Sequence, residues 1–594
     1  MTAVLGLSAF YHDAAAALIV DGRVVAASQQ ERFSRKKHDD AFPAEAIADC
    51  LAQAGLTADD LDYVAFYEKP LRKFDRWLNT VAAYAPRGYR AFRQAVPNWL
   101  KLKLYLRRAL EERFPTRRRL PLVFTEHHEA HAASAFFPSP FESAAILTID
   151  GVGEWSTTTI GIGRGGRLEL LDEMRFPHSL GLLYAAFTYY CGFRINSGEY
   201  KLMGLAPYGQ PVYRDVILER LLDLKEDGSF RLDMRYFRYG YGLTMTSRKF
   251  DRLFGGTPRS PESEITDRYK NLAASIQSVT EEIMLRQARF AYRRTGESRL
   301  VMAGGVALNC VGNGRIFREG PFRELWIQPA AGDAGGAVGA AWFVWHQLLG
   351  EPRAPVGVDR QQASFLGPAF PGTTVEAALT QASASFVRCD SFAEVCRRVA
   401  KALAQQKVVG WFQGRMEFGP RALGSRSILG DPRDPKMQSQ LNMKIKFRES
   451  FRPFAPSILR EHASRYFDVP DDFESPYMLL VAPVRPEFRH HFPAITHVDG
   501  TARIQTVDAQ RQPYFHALIE EFYRVTGCPM VINTSFNVRG EPMVCSPEEA
   551  YRGFIMTDMD LLAIDHFLLY KTEQSSTIDP NERDNFQRAY HAFD

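Results

Sequence analysis

The chain has no apolar run near the roughly 18 residues that a membrane-spanning helix needs, so a membrane partner is not expected. It has no C-x-x-C pair either. Its seven cysteines are scattered from Cys50 to Cys545, which argues against a disulfide framework and against a thiolate zinc site. The N-terminus enters a strand pattern at once, Met1-Thr2-Ala3-Val4-Leu5-Gly6, without the basic region, apolar stretch and cleavage site of a signal peptide, so a cytoplasmic location is expected. Charge of one sign is also missing. With 73 Lys and Arg against 69 Asp and Glu, the net charge of +4 over 594 residues makes nucleic acid an unexpected partner. What is present is the composition of a globular protein, 45% hydrophobic and 24% charged, long enough for about two to four domains.

One segment departs from this balance. Between Lys69 and Arg119 about fifteen basic residues face three acidic ones, ending in Arg117-Arg118-Arg119. Trp99, Leu102, Leu106 and Leu110 fall at helical spacing beside Lys101, Arg107 and Arg108. The pattern predicts an amphipathic helical insert with a solvated basic face. A surface that attracts RNA or phosphate is the alternative.

Two stretches repeat one plan. From Val4 to Ala27 the order is strand, loop, strand, an Asp21-Gly22 turn, strand, and a two-residue Asp-Gly between apolar runs signals a hairpin. The strand Ala145–Ile149 then leads through Asp150-Gly151-Val152-Gly153 to a second hairpin at Thr157–Ile162 and Leu168–Leu170. Each copy carries an acid in its loop, Asp13 or Asp150, which predicts an internal duplication. Glycine-rich turns follow at Gly304-Gly305 and at Gly332-Asp333-Ala334-Gly335-Gly336, where backbone amides can approach a phosphate or adenosine closely. From Gly350 to Gly372 the chain is rich in Pro, Gly and polar residues. The expected domains are therefore 1–355, with the basic insert at about 69–119, and 365–594, a separate α/β or α+β domain. In the latter, helices are expected at Phe392–Leu403 and Pro513–Thr526, and strands at Val408–Phe412, Met530–Ile532 and Leu561–Ile564.

Two groups of residues carry chemistry. His127 and His131 stand four apart, so on a helix both imidazoles share one face and can grip a metal ion. Asp150 at a strand end and Asp333 are candidate carboxylate ligands, and two histidines with one or two carboxylates suit iron(II), manganese or zinc. Histidines that cap a helix or fill a core are the competing reading. His12, in a small-residue loop, is a candidate general base, or a plain loop histidine. In the C-terminal half, Gly419-Pro420-Arg421-Ala422-Leu423-Gly424 is followed by Asn442, Lys444, Lys446, Arg448 and Phe451-Arg452-Pro453-Phe454, then by Arg503 and Asn533-Thr534-Ser535-Phe536-Asn537. Few carboxylates are nearby, with Glu417, Asp431 and Glu449 the neighbours. Arginine forks match phosphate oxygens, so a small phosphate compound or nucleotide is the expected ligand, with structural ion pairs as the alternative.

Taken in order, His12-Asp13-Ala14, Glu31-Arg32-Phe33, the run His127 to Ser134, Asp150-Gly151-Val152-Gly153-Glu154, the run Glu199 to Gly209, Gly304 to Asn309, Gly419 to Gly424, Phe451 to Pro456 and Asn533 to Asn537 resemble the NodU/CmcH family of O-carbamoyltransferases over nearly the whole chain. Ala15 and Cys310 are minor departures from the family pattern. The resemblance implies an α/β protein: a duplicated actin-like ATPase (Kae1-like) domain followed by a YrdC-like α/β domain. It implies that the second domain converts carbamoyl phosphate and ATP, the latter with Mg, into a carbamoyl-adenylate. The first then passes the carbamoyl group to a hydroxyl of a small-molecule acceptor: an antibiotic, sugar, alkaloid or oligosaccharide. By the same resemblance His12 deprotonates the acceptor, and His127, His131, Asp150 and Asp333 hold a divalent metal, usually iron(II). Arg421, Lys446, Arg452, Arg503, Ser535 and Asn537 then bind carbamoyl phosphate and nucleotide, while Lys201, Gly204, Gly304, Gly305, Asn309 and Gly332 form adenosine and phosphate loops. A tRNA threonylcarbamoyl-type transferase and an actin-like sugar kinase are the alternatives. The kinase needs neither the two-histidine site nor the Arg-rich second domain.

Overall fold

The computed structural model describes residues 1–98, 105–114, 116–117, 119–353, 357–448 and 451–574. Trp99, Lys101, Leu102, Arg118 and Glu449 lie outside the described residues. Contacts divide the chain into two units, Met1–Ala27 with Asp40–Arg360, and Ser28–Asp39 with the chain from Gln361 onward. No helix among the described residues is long and apolar enough to cross a membrane.

In the first unit β1 (Ala3–Ser8), β2 (Ala15–Val20), β3 (Arg23–Gln29), β4 (Tyr63–Phe66) and β5 (Leu122–Phe124) form a sheet in the order β3-β2-β1-β4-β5. β1 pairs antiparallel with β2 and parallel with β4, and β4 pairs parallel with β5. β6 (Ser143–Ile149), β7 (Ser156–Arg164), β8 (Arg167–Arg175), β9 (Arg299–Ala303) and β10 (Glu324–Ile327) form a second sheet in the order β8-β7-β6-β9-β10. Here β6 is antiparallel to β7 and β7 to β8, while β6, β9 and β10 run parallel. Strand for strand the two sheets share one plan, so the duplication is a property of the topology and the unit has the actin-like ATPase fold. The turn between β2 and β3 has positive φ at both Asp21 and Gly22, the geometry whose twist matches a two-residue hairpin. β1 and the apolar run of β6 are buried on both faces because each is a central strand covered on two sides.

Three helices of this unit position its polar side chains: α1 (His127–Phe136), α2 (Asp267–Thr295) and α3 (Asp333–Phe343). α1 and α3 are buried along nearly their whole length and consist largely of Ala, Gly and other small residues, so neither needs a polar face. They cross closely. A Cβ on Gly339 would stand 1.8 Å from the Ala130 carbonyl oxygen, a contact that only glycine permits. Ala130 lies between His127 and His131, and Asp333 opens α3, so this crossing decides where the three side chains meet. The basic segment forms helices Pro70–Tyr84, Tyr89–Asn98 and Leu106–Glu111, with Trp77 stacked on Phe92 at 5.2 Å and Leu106 and Leu110 buried.

The second unit holds a nine-stranded mixed sheet. Its strands are β11 (Val387–Arg388), β12 (Val409–Phe412), β13 (Arg426–Gly430), β14 (Ala455–Leu459), β15 (Leu480–Pro483), β16 (Thr501–Val507), β17 (Met530–Ser535), β18 (Leu561–Ile564) and β19 (Phe567–Tyr570). They lie in the order β11-β19-β18-β12-β13-β17-β14-β16-β15. α4 (Phe392–Ala404) and α5 (Pro513–Thr526) pack against each other. The helices and strands expected here from periodicity are all present: Pro513–Thr526 and Leu561–Ile564 with the expected ends, the others with one end shifted by one to three residues, as hydrogen bonding extends β17 through Ser535.

Because the α1–α3 crossing has no spare volume, Gly339→Ala is expected to destabilise the first unit by about 1–3 kcal/mol. It should also weaken divalent-ion binding by moving Asp333 away from the histidines. Urea unfolding and calorimetric titration measure the two effects, and an unchanged midpoint with unchanged ion affinity contradicts the packing argument.

Candidate functional site

Two places gather the chemically capable side chains, one in each unit. In the first, β6 ends at Ile149 and delivers Asp150, while α1 turns both imidazoles inward. His127 Nε2 lies 3.1 Å from Asp150 Oδ2 and 3.0 Å from His131 Nε2. Asp333 Oδ1 stands 3.7 Å from His127 Nε2 and 4.0 Å from His131 Nε2. One donor atom from each of the four residues falls within 4.8 Å of all the others. For an ion bound at about 2.1 Å, neighbouring donors lie about 3.0 Å apart in an octahedron and about 3.4 Å apart in a tetrahedron. The short pairs match octahedral edges and the longer ones approach its diagonal, so two imidazoles and two carboxylates fit one divalent ion with positions left open.

Several residues aim these ligands. Glu154 accepts hydrogen bonds from the His127 backbone N–H at 3.2 and 3.1 Å and from that of Lys69 at 2.7 Å, and Glu126 with Glu129 forms a capping box at the start of α1. Neither histidine's Nδ1 meets a hydrogen-bond partner among the described residues. Their rings are therefore set by the anchoring and packing of α1. Tyr67 donates its hydroxyl to Asp333 Oδ2 at 3.4 Å, and the Gly305 N–H donates to Asp150 Oδ1 at 2.8 Å. Tyr67 is invisible in sequence because it follows an apolar strand and reads as core. Glu154 carried a signal, an acid placed just after a strand-end Asp-Gly run.

His12 sits at the edge of this cluster, 22% exposed, with Nδ1 2.9 Å from Asp13 Oδ2 and Nε2 3.7 Å from Asp333 Oδ2. Of the glycine turns, Gly305 faces Asp150, and the Gly304 N–H donates to the Ala331 carbonyl at 2.8 Å. Gly332 is the residue before α3. Asn309 caps the helix Cys310–Glu319 through the Gly312 N–H and pairs with Gln277 on α2 at 3.1 Å. Lys201 and Gly204 lie on the helix Glu199–Leu205, where Lys201 is buried and its ammonium stands 5.8 Å from the Phe193 ring centre. That helix meets Cys310–Glu319 through Met203 and Cys310, whose sulfurs are 3.9 Å apart.

In the second unit Lys446, Ser535 and Asn537 come together. The Lys446 ammonium donates to the Asn537 side-chain oxygen at 2.8 Å, to its carbonyl at 2.9 Å, to the Ser535 hydroxyl at 3.3 Å and to the Ser535 carbonyl. Ser535 in turn donates to Asn537 at 2.7 Å. Arg452 joins through its backbone, its carbonyl accepting from Asn442 at 3.0 Å, and Arg448 donates to the Asn442 side-chain oxygen at 2.7 Å. The Gly419–Gly424 loop that carries Arg421 is held from beneath. Glu417 Oε1 accepts backbone N–H groups of Leu423 at 2.8 Å, Ser425 at 2.8 Å and Arg426 at 3.1 Å. Gln505 donates to the Leu423 carbonyl at 2.9 Å and Asn533 to the Ala422 carbonyl at 3.2 Å. Arg503 lies two residues before Gln505 on β16, so both share one face of that strand. Arg426 belongs to the framework: its guanidinium stacks 3.5 Å over Phe412 and donates to the carbonyls of Gln413, Gly414 and Pro368. Glu417 and Gln505 were not anticipated as loop supports, because a buried acid serving backbone amides has no sequence pattern of its own.

The family profile described as carbamoyltransferase N-terminus matches residues 3–342, and that described as carbamoyltransferase C-terminus matches residues 400–571. The chain belongs to the carbamoyltransferase family. Among relatives of this carbamoyltransferase, an uncharacterised protein of Synechocystis, sll1178, is 54% identical over 97% of both chains. The nodulation protein NolNO of Sinorhizobium fredii is 38% identical over 95% of this chain and 80% of its own. The nodulation protein U of Rhizobium tropici is 28% identical over 89% and 90%.

Charge in the metal-type cluster of the carbamoyltransferase is unevenly shared. Burial pulls the His127 imidazole down, but Asp333 and Asp150 outweigh it and raise it to about 9. Burial and the His127 charge push His131 well below the usual imidazole range, and Asp150 is held well below the carboxylate range by His127 against the cost of its own burial. Without an ion, His127 is therefore the protonated ring at neutral pH. An ion that takes Nε2 must displace that proton, so binding releases at least one proton and its apparent affinity falls about tenfold per pH unit below about 9. Titration calorimetry with manganese(II) in buffers of different ionisation enthalpy measures this, and binding without proton release contradicts it.

Proposed function

We propose that this carbamoyltransferase activates a carbamoyl group in its second unit and delivers it to an alcohol in its first. The observation that carries the reading is Lys446. Its side chain is 2% exposed, and among the described residues its ammonium meets only neutral oxygens. Burial, with Arg448, Arg452 and Lys37 next, holds it well below the usual lysine range. A buried cation surrounded by further cations is electrostatically incomplete, and an anion of high charge completes it. Carbamoyl phosphate and the triphosphate of ATP supply such charge.

Atom balance then dictates the order of events. For a carbamate oxygen to attack the α-phosphorus of ATP, carbamoyl phosphate must first lose phosphate to water. Attack then releases pyrophosphate and leaves carbamoyl-adenylate. Lys446, Arg421, Arg452 and Arg503 neutralise and orient the phosphates, while Ser535 and Asn537 hold the Lys446 ammonium in place. In the first unit the adenylate would lie against the turns at Gly304, Gly305 and Gly332 and the residues Lys201, Gly204 and Asn309. Asp13 fixes the His12 tautomer by accepting at Nδ1, which leaves Nε2 to take the proton of the acceptor hydroxyl as its oxygen attacks the carbamoyl carbon and AMP leaves. His127, His131, Asp150 and Asp333 would hold a divalent ion, iron(II) in the first instance, which when bound polarises the carbamoyl carbonyl. Asp333 and Asp13 raise His12 well above its ordinary value against the effect of burial, so transfer is expected to accelerate as pH rises and His12 loses its proton. The acceptor class is a small molecule bearing a hydroxyl, an antibiotic, sugar, alkaloid or oligosaccharide. A place in secondary-metabolite biosynthesis goes with that acceptor class.

The two half-reactions separate by mutation. Lys446→Ala and Arg452→Ala are expected to lower carbamoyl-phosphate-dependent exchange of labelled pyrophosphate into ATP by about 100-fold or more, whereas His12→Asn keeps exchange and loses product. Normal exchange by both second-unit variants would falsify the assignment.

A further inference from the structure

The Glu31-Arg32-Phe33 run lies early in the chain, yet Arg32 and Phe33 reach residues between Met416 and Cys545. The chain leaves the first unit after Ala27, contributes Ser28–Asp39 to the second, and returns at Asp40. Within the second unit one feature this short segment meets is the loop Gly419–Gly424. Gln29 Oε1 accepts the Gly419 N–H at 3.2 Å, Arg32 Nη2 donates to the Gly419 carbonyl at 2.8 Å, and the same Nη2 donates to Gln29 Oε1 at 2.9 Å. The three bonds close a ring around one residue. Gly419 has φ of 129°, a conformation closed to other residues without strain, so its peptide orientation depends on what grips it. Phe33 packs against the cluster of Met416, Ala422, Met543 and Cys545, of which Ala422 directly follows Arg421 in the loop.

The segment is itself anchored. Arg32 Nη1 pairs with Glu31 at 2.9 Å, and Glu31 Oε2 accepts the His38 N–H at 2.8 Å. Arg35 donates to the carbonyls of Met543 at 2.7 Å and Pro542 at 2.9 Å and pairs with Glu549 at 3.2 Å. Gln29 and Arg32 are buried, so these are desolvated bonds. Glu417, Gln505 and Asn533 hold the later part of the loop, residues Ala422 to Arg426. Nothing in that set touches Gly419.

We propose that Gln29, Arg32 and Phe33 are positioning residues for Arg421: they grip the loop on either side of it and so set the guanidinium that receives the anionic substrate. The inference rests on the proposed adenylation in the second unit. It assigns to a twelve-residue segment, which precedes almost all of the first unit in sequence, a part in the chemistry of the second. None of the three residues touches substrate. Their effect passes through the loop, and a shift of about 1 Å in a substrate-orienting group costs about 100-fold.

The test uses the full-length chain and carbamoyl-phosphate-dependent exchange of labelled pyrophosphate into ATP. Arg32→Ala and Gln29→Ala are expected to raise the KM of one substrate by about 10- to 100-fold, and that substrate is the one whose KM Arg421→Ala raises. In an Arg421→Ala background the Arg32 substitution should add less than about threefold, because the group it positions is gone. Arg32→Lys keeps a charge beside Glu31 but loses the planar fork, and it is expected to show the same KM rise should Arg32→Ala fold poorly. Losses that multiply in the double variant, a KM rise for the other substrate, or full activity of Arg32→Lys each overturn the proposal. A wild-type chain without exchange overturns the adenylation reading, whereas exchange that is normal in the Arg32 variants and lost in Arg421→Ala overturns the positioning role alone.

Discussion

The contact between Gly339 of α3 and the Ala130 carbonyl of α1 is the constraint on which the first unit's chemistry depends. Two helices with ordinary side chains at their crossing stand apart by the width of those side chains. With glycine at the contact the backbones touch, and Asp333 is carried within 4.0 Å of two imidazoles that stand one turn apart. Glu154, accepting the His127 backbone N–H, fixes where α1 begins, so the convergence is set from two directions. Two carboxylates and two imidazoles in a water-poor place repel or attract according to which carries a proton. A cation is the simplest way to satisfy all four at once.

The second unit solves the opposite problem. It surrounds the buried Lys446 ammonium with the oxygens of Ser535 and Asn537 and holds the Arg421 loop by its backbone amides on Glu417. Neutral oxygens that accept its hydrogen bonds orient a cation without discharging it. In the proposed function that charge serves a phosphate-bearing ligand. The family to which the chain belongs transfers carbamoyl groups, and the proposed division of that work between the two units matches the electrostatics of each.

Much of this architecture is legible in the residues alone. The strand–turn–strand pattern around Asp21-Gly22 and its return after Asp150 foretold the duplicated sheets, since hairpin turns and apolar runs are local signals. The four-residue spacing of His127 and His131 foretold a shared face, and α1 supplies it. What could not be read is what depends on distant contacts. Tyr67 looks like one more core aromatic until Asp333, far along the chain, is placed beside its hydroxyl at 3.4 Å. Glu417 looks like an ordinary acid until three amides of a later turn fold over it. Gln29 and Arg32 belong by sequence to the first unit's opening strands and helix, and only the path of the chain shows that they serve the second. Trp99 and Leu102, on which the amphipathic reading of the basic segment partly rested, lie outside the described residues.

The central claim is that two imidazoles and two carboxylates of the first unit share one divalent ion. X-ray absorption at the iron edge, on protein loaded anaerobically with one equivalent of iron(II), tests it most directly. The account predicts a six-coordinate nitrogen and oxygen shell at about 2.1 Å with the outer-shell scattering of two histidines, reduced when His131 is replaced by alanine. A spectrum without imidazole scattering, or with a sulfur ligand, contradicts it.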